Sequence, residues 1–362
     1  MYRPDSEEFG QPAARLHYPC GDAPEPGQAF EIAPGVLWMR LPVPNVLKHI
    51  NVWAIEDGEG WAIVDTGVLS PQTVEAWEAL LAGPLGGRPV TRVLVTHQHP
   101  DHVGMAGWLT ERFGCRLWMT RLEYLYSLSI VAEVGEDVPP EGLAFYHRAG
   151  WDEVALAGYR NRFGRAGRMM SRLPRSFRRM EDGAVVRIGA HDWQVLTGQG
   201  HTPEHACLYS RDLHVMIAGD QILPRISSNV SVHPMEPDAN PLAGWQASLA
   251  RIRRMVPQDV LVLPAHNEPF EGLHARIDRL EQSLWRGVAR LREVLREPRR
   301  VVDLFGVLFA IPVTGDDVLQ YALATGETMA HLNYLNALGE LDVQIDNGGV
   351  AWYCATRPGQ TA

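Results

Sequence analysis
The chain has 362 residues, 46% hydrophobic and 21% charged. That supplies a sizeable core and excludes bulk disorder. The net charge is −10, which argues against a polyanionic partner.

No run approaches the roughly 18 consecutive apolar residues of a membrane span. The first 30 residues lack the apolar segment of a secretory leader and read as a loose lead-in with Pro12, Pro19, Pro24 and Pro26. Cys20, Cys115, Cys207 and Cys354 lie far apart, with no Cys-x-x-Cys. A disulfide framework is not expected, and a reducing cytoplasm fits.

From Val36 short apolar runs follow at Val36–Leu41, Ile50–Glu56 and Trp61–Asp65, and Asp57-Gly58 is a turn signal between them. They predict an antiparallel meander. Helical spacing over Pro71–Ala82 follows Ser70, a good N-cap. A strand at Arg92–Thr96 and a helix over His102–Phe113 continue an α/β rhythm.

Residues 121–180 interrupt that rhythm and read as a mostly helical insertion. Eight arginines fall between Arg160 and Arg179 with no acid among them. The cluster could grip acidic groups; the plainer reading is a solvated face. Lys48 is the only lysine, so nearly all positive charge is guanidinium.

Strands resume at Ala184–Gly189, Trp193–Thr197, Ala206–Ser210, His214–Ala218 and Val260–Leu263. Past Phe270 comes a long amphipathic helix, Leu273–Arg296, then shorter helices and a hairpin of Leu341–Ile345 and Val350–Tyr353 around Asp346-Asn347-Gly348-Gly349. From Val301 onward there are seven acids against one base, Arg357. The organisation is therefore a lead-in over 1–30, a main domain over 31–270 and a winged-helix-like C-terminal domain over 271–362.

The densest chemistry is Thr96-His97-Gln98-His99-Pro100-Asp101-His102, directly after a strand. At this composition such a His-x-His-x-Asp-His pattern arises by chance in about one chain in a thousand. In an extended segment alternate side chains share a face, so His97 and His99 can grip one ion. Pro100 turns the chain, and Asp101 and His102 can then face another. Three later strands run into a small residue and then a ligand type: Gly200-His201, Gly219-Asp220 and Pro264-Ala265-His266. Tyr146, His147, Ser228, Asn229 and His233 are pocket candidates by loop position alone. Cys207 reads as packed core.

Together these motifs resemble the metallo-β-lactamase superfamily over about residues 30–270. The resemblance implies an αββα sandwich with a two-metal site on one edge. It implies that His97, His99 and His201 bind a first metal, that Asp101, His102 and His266 bind a second, and that Asp220 bridges both. Val64-Asp65-Thr66-Gly67 matches an early strand-end motif whose Asp orients a ligand; Asp65 read alone is equally a turn-former. Glu204 stands where the family often has Gly. The bridging Asp resembles the glyoxalase II, lactonase and nuclease branches, and the tail resembles the lactamase-β-like branch.

Nitrogen and oxygen donors suit Zn(II) and also admit Fe(II) or Mn(II). The expected activity is hydrolysis of a small ester, thioester or lactone, anionic or carbonyl-bearing, by a metal-bridging hydroxide that Asp101 orients. The alternatives are a lactamase-β-like endoribonuclease or phosphodiesterase, and a non-catalytic metal-binding regulatory protein. The acidic tail counts against nucleic acid, and the winged-helix-like tail could equally serve a homodimer.

Overall fold
The computed structural model describes residues 16–44 and 47–356, so half of the lead-in, residues 1–15, lies outside the described part. Strands β1 (Ala29–Ala33), β2 (Val36–Pro42), β3 (His49–Asp57) and β4 (Gly60–Val64) pair as the expected antiparallel meander. β1 starts inside the stretch read as lead-in, because it is half-exposed and lacks a clean apolar alternation.

Helix α1 (Pro71–Ala82) begins at Ser70, whose hydroxyl accepts from the Thr73 amide. Strand β5 (Val90–Leu94) runs parallel to β4. The single helix expected from His102 divides into α2 (Pro100–Val103) and α3 (Ala106–Phe113). Pro100 opens α2, where its fixed φ suits the first helical position. The break falls at Met105, whose amide bonds out of the helix to Gly67 O and Thr66 Oγ1.

After β6 (Arg116–Met119) the insertion supplies α4 (Arg121–Ala132), α5 (Pro140–Arg148) and α6 (Glu153–Arg162). It ends in β7 (Arg178–Arg179), which pairs parallel to β6 and completes a seven-stranded sheet in the order β1 to β7. Six of the eight arginines, at 160, 165, 168, 172, 175 and 178, face solvent.

The second sheet contains β8 (Val185–Ile188), β9 (His191–Gly198), β10 (His205–Ser210) and β11 (Val215–Gly219). Helix α7 (Pro241–Met255) crosses over to β12 (Leu261–Pro264), parallel to β11, and the sheet order is β12-β11-β10-β9-β8.

Period-two alternation sorts the strand residues into layers. Trp38, Trp53 and Val64 of the first sheet meet Trp193, Val195, Leu208 and Ile217 of the second. Their neighbours Met39, Val52 and Ile63 face outward beneath α1 and α3, against Trp77, Leu80 and Leu109. Cys207 and Met216 face outward beneath α7. The result is the expected αββα sandwich, and each fully buried large side chain contributes roughly 1.5–3 kcal/mol.

The tail is α8 (Leu273–Val294), a 3-10 turn at Val301–Leu304, α9 (Phe305–Leu308), α10 (Val318–Ala337) and the hairpin β13 (Leu341–Ile345) and β14 (Ala351–Ala355). The last long helix was expected to be shorter. α10 buries Ala324, Glu327, Ala330, His331, Leu332 and Leu335 on several sides, so it shows no single apolar stripe. α8 does show one, through Ile277, Leu280, Leu284, Val288 and Leu291, and it shares one core with α7, the second sheet and the tail. Among the described residues no helix is long and apolar enough to cross a membrane.

A chain ending at Glu271 would keep α7 but bare the apolar surface of α7 and the second sheet that α8 and the tail cover. It should bind a hydrophobic dye and lose its cooperative melt, as dye fluorescence and calorimetry on the truncated protein would show. A sharp melt would mean that the sandwich is self-sufficient.

Candidate metal centre
The ends of β4, β5, β9, β11 and β12 lie together at one end of the sandwich, laced by two hydrogen bonds between the sheets and one within the second sheet. The Ala206 amide donates to Thr96 O (2.8 Å), the Asn51 amide to Ala265 O (2.7 Å) and the Ala265 amide to Gly219 O (3.0 Å). Two glycines allow the close approach. A Cβ at Gly219 (φ +51) would stand 2.6 Å from the His205 ring, and one at Gly200 (φ +107) would stand 2.3 Å from Trp245 Cβ.

All seven residues singled out by the motifs converge here. His97 Nε2 lies 2.9 Å from His99 Nδ1 and 3.2 Å from His201 Nε2. Asp101 Oδ2 lies 3.3 Å from His266 Nε2 and 3.8 Å from His102 Nε2. Asp220 sits between the two groups. Its Oδ2 faces His201 Nε2 at 3.5 Å, and its Oδ1 faces His102 Nε2 at 3.7 Å and His266 Nε2 at 3.6 Å. The donor atoms of His97, His99, His201 and Asp220 lie within 4.8 Å of one another, and so do those of Asp101, His102 and His266.

The remote ring nitrogens are held by acceptors that fix the tautomers. His201 Nδ1 donates to Asn229 O (2.8 Å) and His266 Nδ1 to His49 O (3.0 Å). His102 Nδ1 donates to Asp65 Oδ2 (2.8 Å). In each case Nε2 is left facing inward. Asp65 is buried in a left-handed conformation (φ +61). Its carboxylate also accepts from the Thr96 amide and hydroxyl. Asp65 thus stands in a turn and also hydrogen-bonds His102.

Burial, then neighbouring imidazoles, hold His97 well below the ordinary histidine range and bring His99 to about 3, so both rings are neutral and offer lone pairs. Burial also lowers His102, but the carboxylates of Asp65, Asp101 and Asp220 outweigh it and hold the ring well above its usual range. For Asp101, burial raises the carboxyl, yet His102 and His266 bring it to about 2. Among the described residues His102 Nε2, His266 Nε2 and Asp220 Oδ1 are buried without a hydrogen-bond partner. The surrounding carboxylates hold a proton on His102 where a cation would otherwise sit; once that proton leaves, His102 Nε2, His266 Nε2 and Asp220 Oδ1 are neighbouring acceptors, and with the Asp101 carboxylate they fit divalent cations.

Other residues of the centre were not singled out by the motifs. His205, in the same run as His201, stacks on His97 (ring centroids 4.8 Å apart), and its Nε2 accepts from the Asp220 amide (3.1 Å). Asn51 donates to Pro264 O (2.8 Å) and Asn267 O (2.6 Å) and so fixes the turn bearing His266. A lone Asn in an apolar strand carries no sequence signal beyond its polarity. Glu204, in the family's Gly position, accepts from the Leu122 amide (2.8 Å) at the start of α4. Of the pocket candidates, Ser228 donates to Asp220 O and Asn229 holds His201. His233 keeps an exposed surface yet lies near enough to His201 that burial and that imidazole lower it. Tyr146 instead packs on Trp151 and Tyr159, and His147 lies against the hairpin at Gly349.

The family model described as the metallo-beta-lactamase superfamily matches residues 46–266, and one described as metallo-beta-lactamase-like, C-terminal domain matches residues 288–356. A solved beta-lactamase domain protein from Burkholderia ambifaria is 39% identical, with a TM-score of 0.87 over 94% of this chain and 98% of its own. An atrochrysone carboxyl ACP thioesterase of Aspergillus fumigatus is 21% identical over 64% of this chain. A hydroxyacylglutathione hydrolase of Pseudomonas aeruginosa is 36% identical over 26% of this chain. The matches span 41% and 35% of those two relatives.

The C-terminal elements reach the centre through Glu327 of α10. Its carboxylate accepts from Asn229 Nδ2 (2.8 Å), and Asn229 O holds His201. The Val232 amide donates to Gly326 O (3.0 Å). Glu327 is 6% exposed, and burial pushes its carboxyl up to about 7 from the usual 4.5. Its folded value lies above its unfolded one, so the associated stability is full below pH ~4.5 and is lost as pH rises through about 7. Glu327→Gln keeps an acceptor for Asn229 and removes the titration. Denaturant titrations of chelator-treated protein should show the variant gaining on the wild type between pH 5 and 8, by up to about 3 kcal/mol. Parallel curves would acquit Glu327.

Proposed function
The chain belongs to the metallo-beta-lactamase superfamily, and from that premise we propose that it is a dinuclear metal-dependent hydrolase of a small ester, thioester or lactone. The observation that carries this reading is the placement of Asp220, with one carboxylate oxygen toward each histidine group. In this reading His97, His99 and His201 hold the first cation, and Asp101, His102 and His266 hold the second. Asp220 would serve both, and Asp65 would orient His102. Residues 31–270, with the insertion at 121–180, form the catalytic unit, and residues 271–362 form a winged-helix-like module against it. Zn(II) is the first choice of metal, with Fe(II) and Mn(II) also suited to nitrogen and oxygen donors.

When bound, the cations supply Lewis acidity and lower the pKa of water to about 7. The chain's own residues supply the positioning. Asp101, held near 2, stays ionised; it orients the attacking water as an acceptor and does not store its proton. Asn229, His49 and Asp65 fix the imidazoles that face the reacting atoms. A thiol nucleophile is not needed: Cys207 is fully buried, and burial pushes its thiol far up. The ester and thioester classes draw support from the likeness to a thioesterase and a hydroxyacylglutathione hydrolase. The free cysteines support a reducing compartment, the cytoplasm.

The test is a metal-reconstituted screen over thioesters, lactones, phosphodiesters and RNA. Turnover is expected on the acyl substrates, with about two metal ions per chain by elemental analysis. His97→Ala and Asp101→Ala should each lower turnover by a hundredfold or more while the protein stays folded by circular dichroism. Near-wild-type activity in either variant, or cleavage confined to RNA, would overturn the proposal.

A further inference from the structure
Helix α4 belongs to the insertion, yet it sends a carboxylate into the scaffold of the metal centre. Glu123 is fully buried. Its Oε2 accepts from the Gln98 amide (3.0 Å), and its Oε1 accepts from the Glu204 amide (2.7 Å). Gln98 stands between His97 and His99. Glu204 lies between His201 and His205. One loop leaves β5 of the first sheet and the other leaves β9 of the second, so a single side chain ties the two sheets together at the three converging imidazoles.

The attachment runs both ways. The Glu204 carboxylate accepts from the Leu122 amide, and Thr120 Oγ1 donates to Glu204 O (2.7 Å). Ser127 Oγ donates to Glu123 O one turn further along α4. This also accounts for Glu at the position where the family often carries Gly: its side chain caps the first turn of the inserted helix while its amide meets Glu123.

We propose that Glu123 is a positioning residue for the first cation. It sets the spacing between the loop bearing His97 and His99 and the loop bearing His201, which makes the insertion a working part of the metal centre. The proposal rests on the dinuclear reading above. A carboxylate suits the task because it offers an acceptor oxygen to each amide. A carboxamide offers one oxygen and turns an N–H group toward the other donor. Among the described residues the second group, Asp101, His102 and His266, shares no hydrogen bond with Glu123, so the effect should be selective.

The experiment compares full-length wild type, Glu123→Gln and Ser127→Ala. Each is freed of metal with a chelator and titrated with Co(II), following the visible absorption of the bound ion. Wild type should take up two equivalents. In Glu123→Gln one equivalent should bind about 10- to 100-fold more weakly with an altered spectrum, and the other should stay within about twofold. Ser127→Ala, which loosens the same helix without touching either loop, should titrate like wild type. If Glu123→Gln does not fold, Glu123→Asp, which keeps the charge but is too short to reach both amides, should show the same one-site loss. Two unchanged equivalents, or a loss in both sites that Ser127→Ala reproduces, would overturn the proposal. A wild type that takes up no cation would instead remove the dinuclear reading, and this inference with it.

Discussion
Three carboxylates, those of Asp65, Asp101 and Asp220, surround the buried imidazole of His102. Charge taken out of water is costly unless it is paired and hydrogen-bonded. Asp65 is fully satisfied by Thr96 and His102. Asp220 is not, and its Oδ1 faces two ring nitrogens that also lack partners among the described residues. A proton on His102 meets this demand for positive charge only in part; the demand constrains the rest of the structure, and a pair of divalent cations would meet it with the fewest further groups.

The sandwich exists, in part, to bring such a demand to a single point. Neither sheet alone carries all seven side chains: His97 follows β5 of the first sheet, and His201, Asp220 and His266 follow β9, β11 and β12 of the second. The stacked tryptophans and aliphatic residues between the sheets hold the strand ends in register. Hydrogen bonds from Asn51 and Ala206 then lock the ends to one another. The left-handed backbone of Asp65 and the bare Cα of Gly219 are the local costs of that convergence.

Support also arrives from outside the sandwich. Glu123 of the insertion and Glu327 of the tail are both buried, and burial pushes both carboxyls up to about 7. Glu123 meets the backbone amides of Gln98 and Glu204, whereas Glu327 meets the side-chain amide of Asn229, whose carbonyl holds His201. The insertion and the tail thus share the packing and hydrogen bonding of the centre, although neither contributes a side chain to the two histidine groups.

Much of this was legible in the amino-acid order. Alternating apolar residues defined most of the strands, Ser70 marked a helix start, and the spacing of His97, His99, Asp101 and His102 after a strand pointed to metal chemistry. Those signals are local: each depends on neighbours within a turn or a strand, where geometry follows from spacing alone. The division of the helix at Met105, the length of α10, and the parts played by Asn51, Glu123, His205 and Glu327 were decided by the tertiary structure. Each depends on a partner distant in the chain, or on burial from several sides. A hydrogen bond between Asn51 and Pro264 leaves no trace in either segment read alone, because the sheets must pack before those atoms meet.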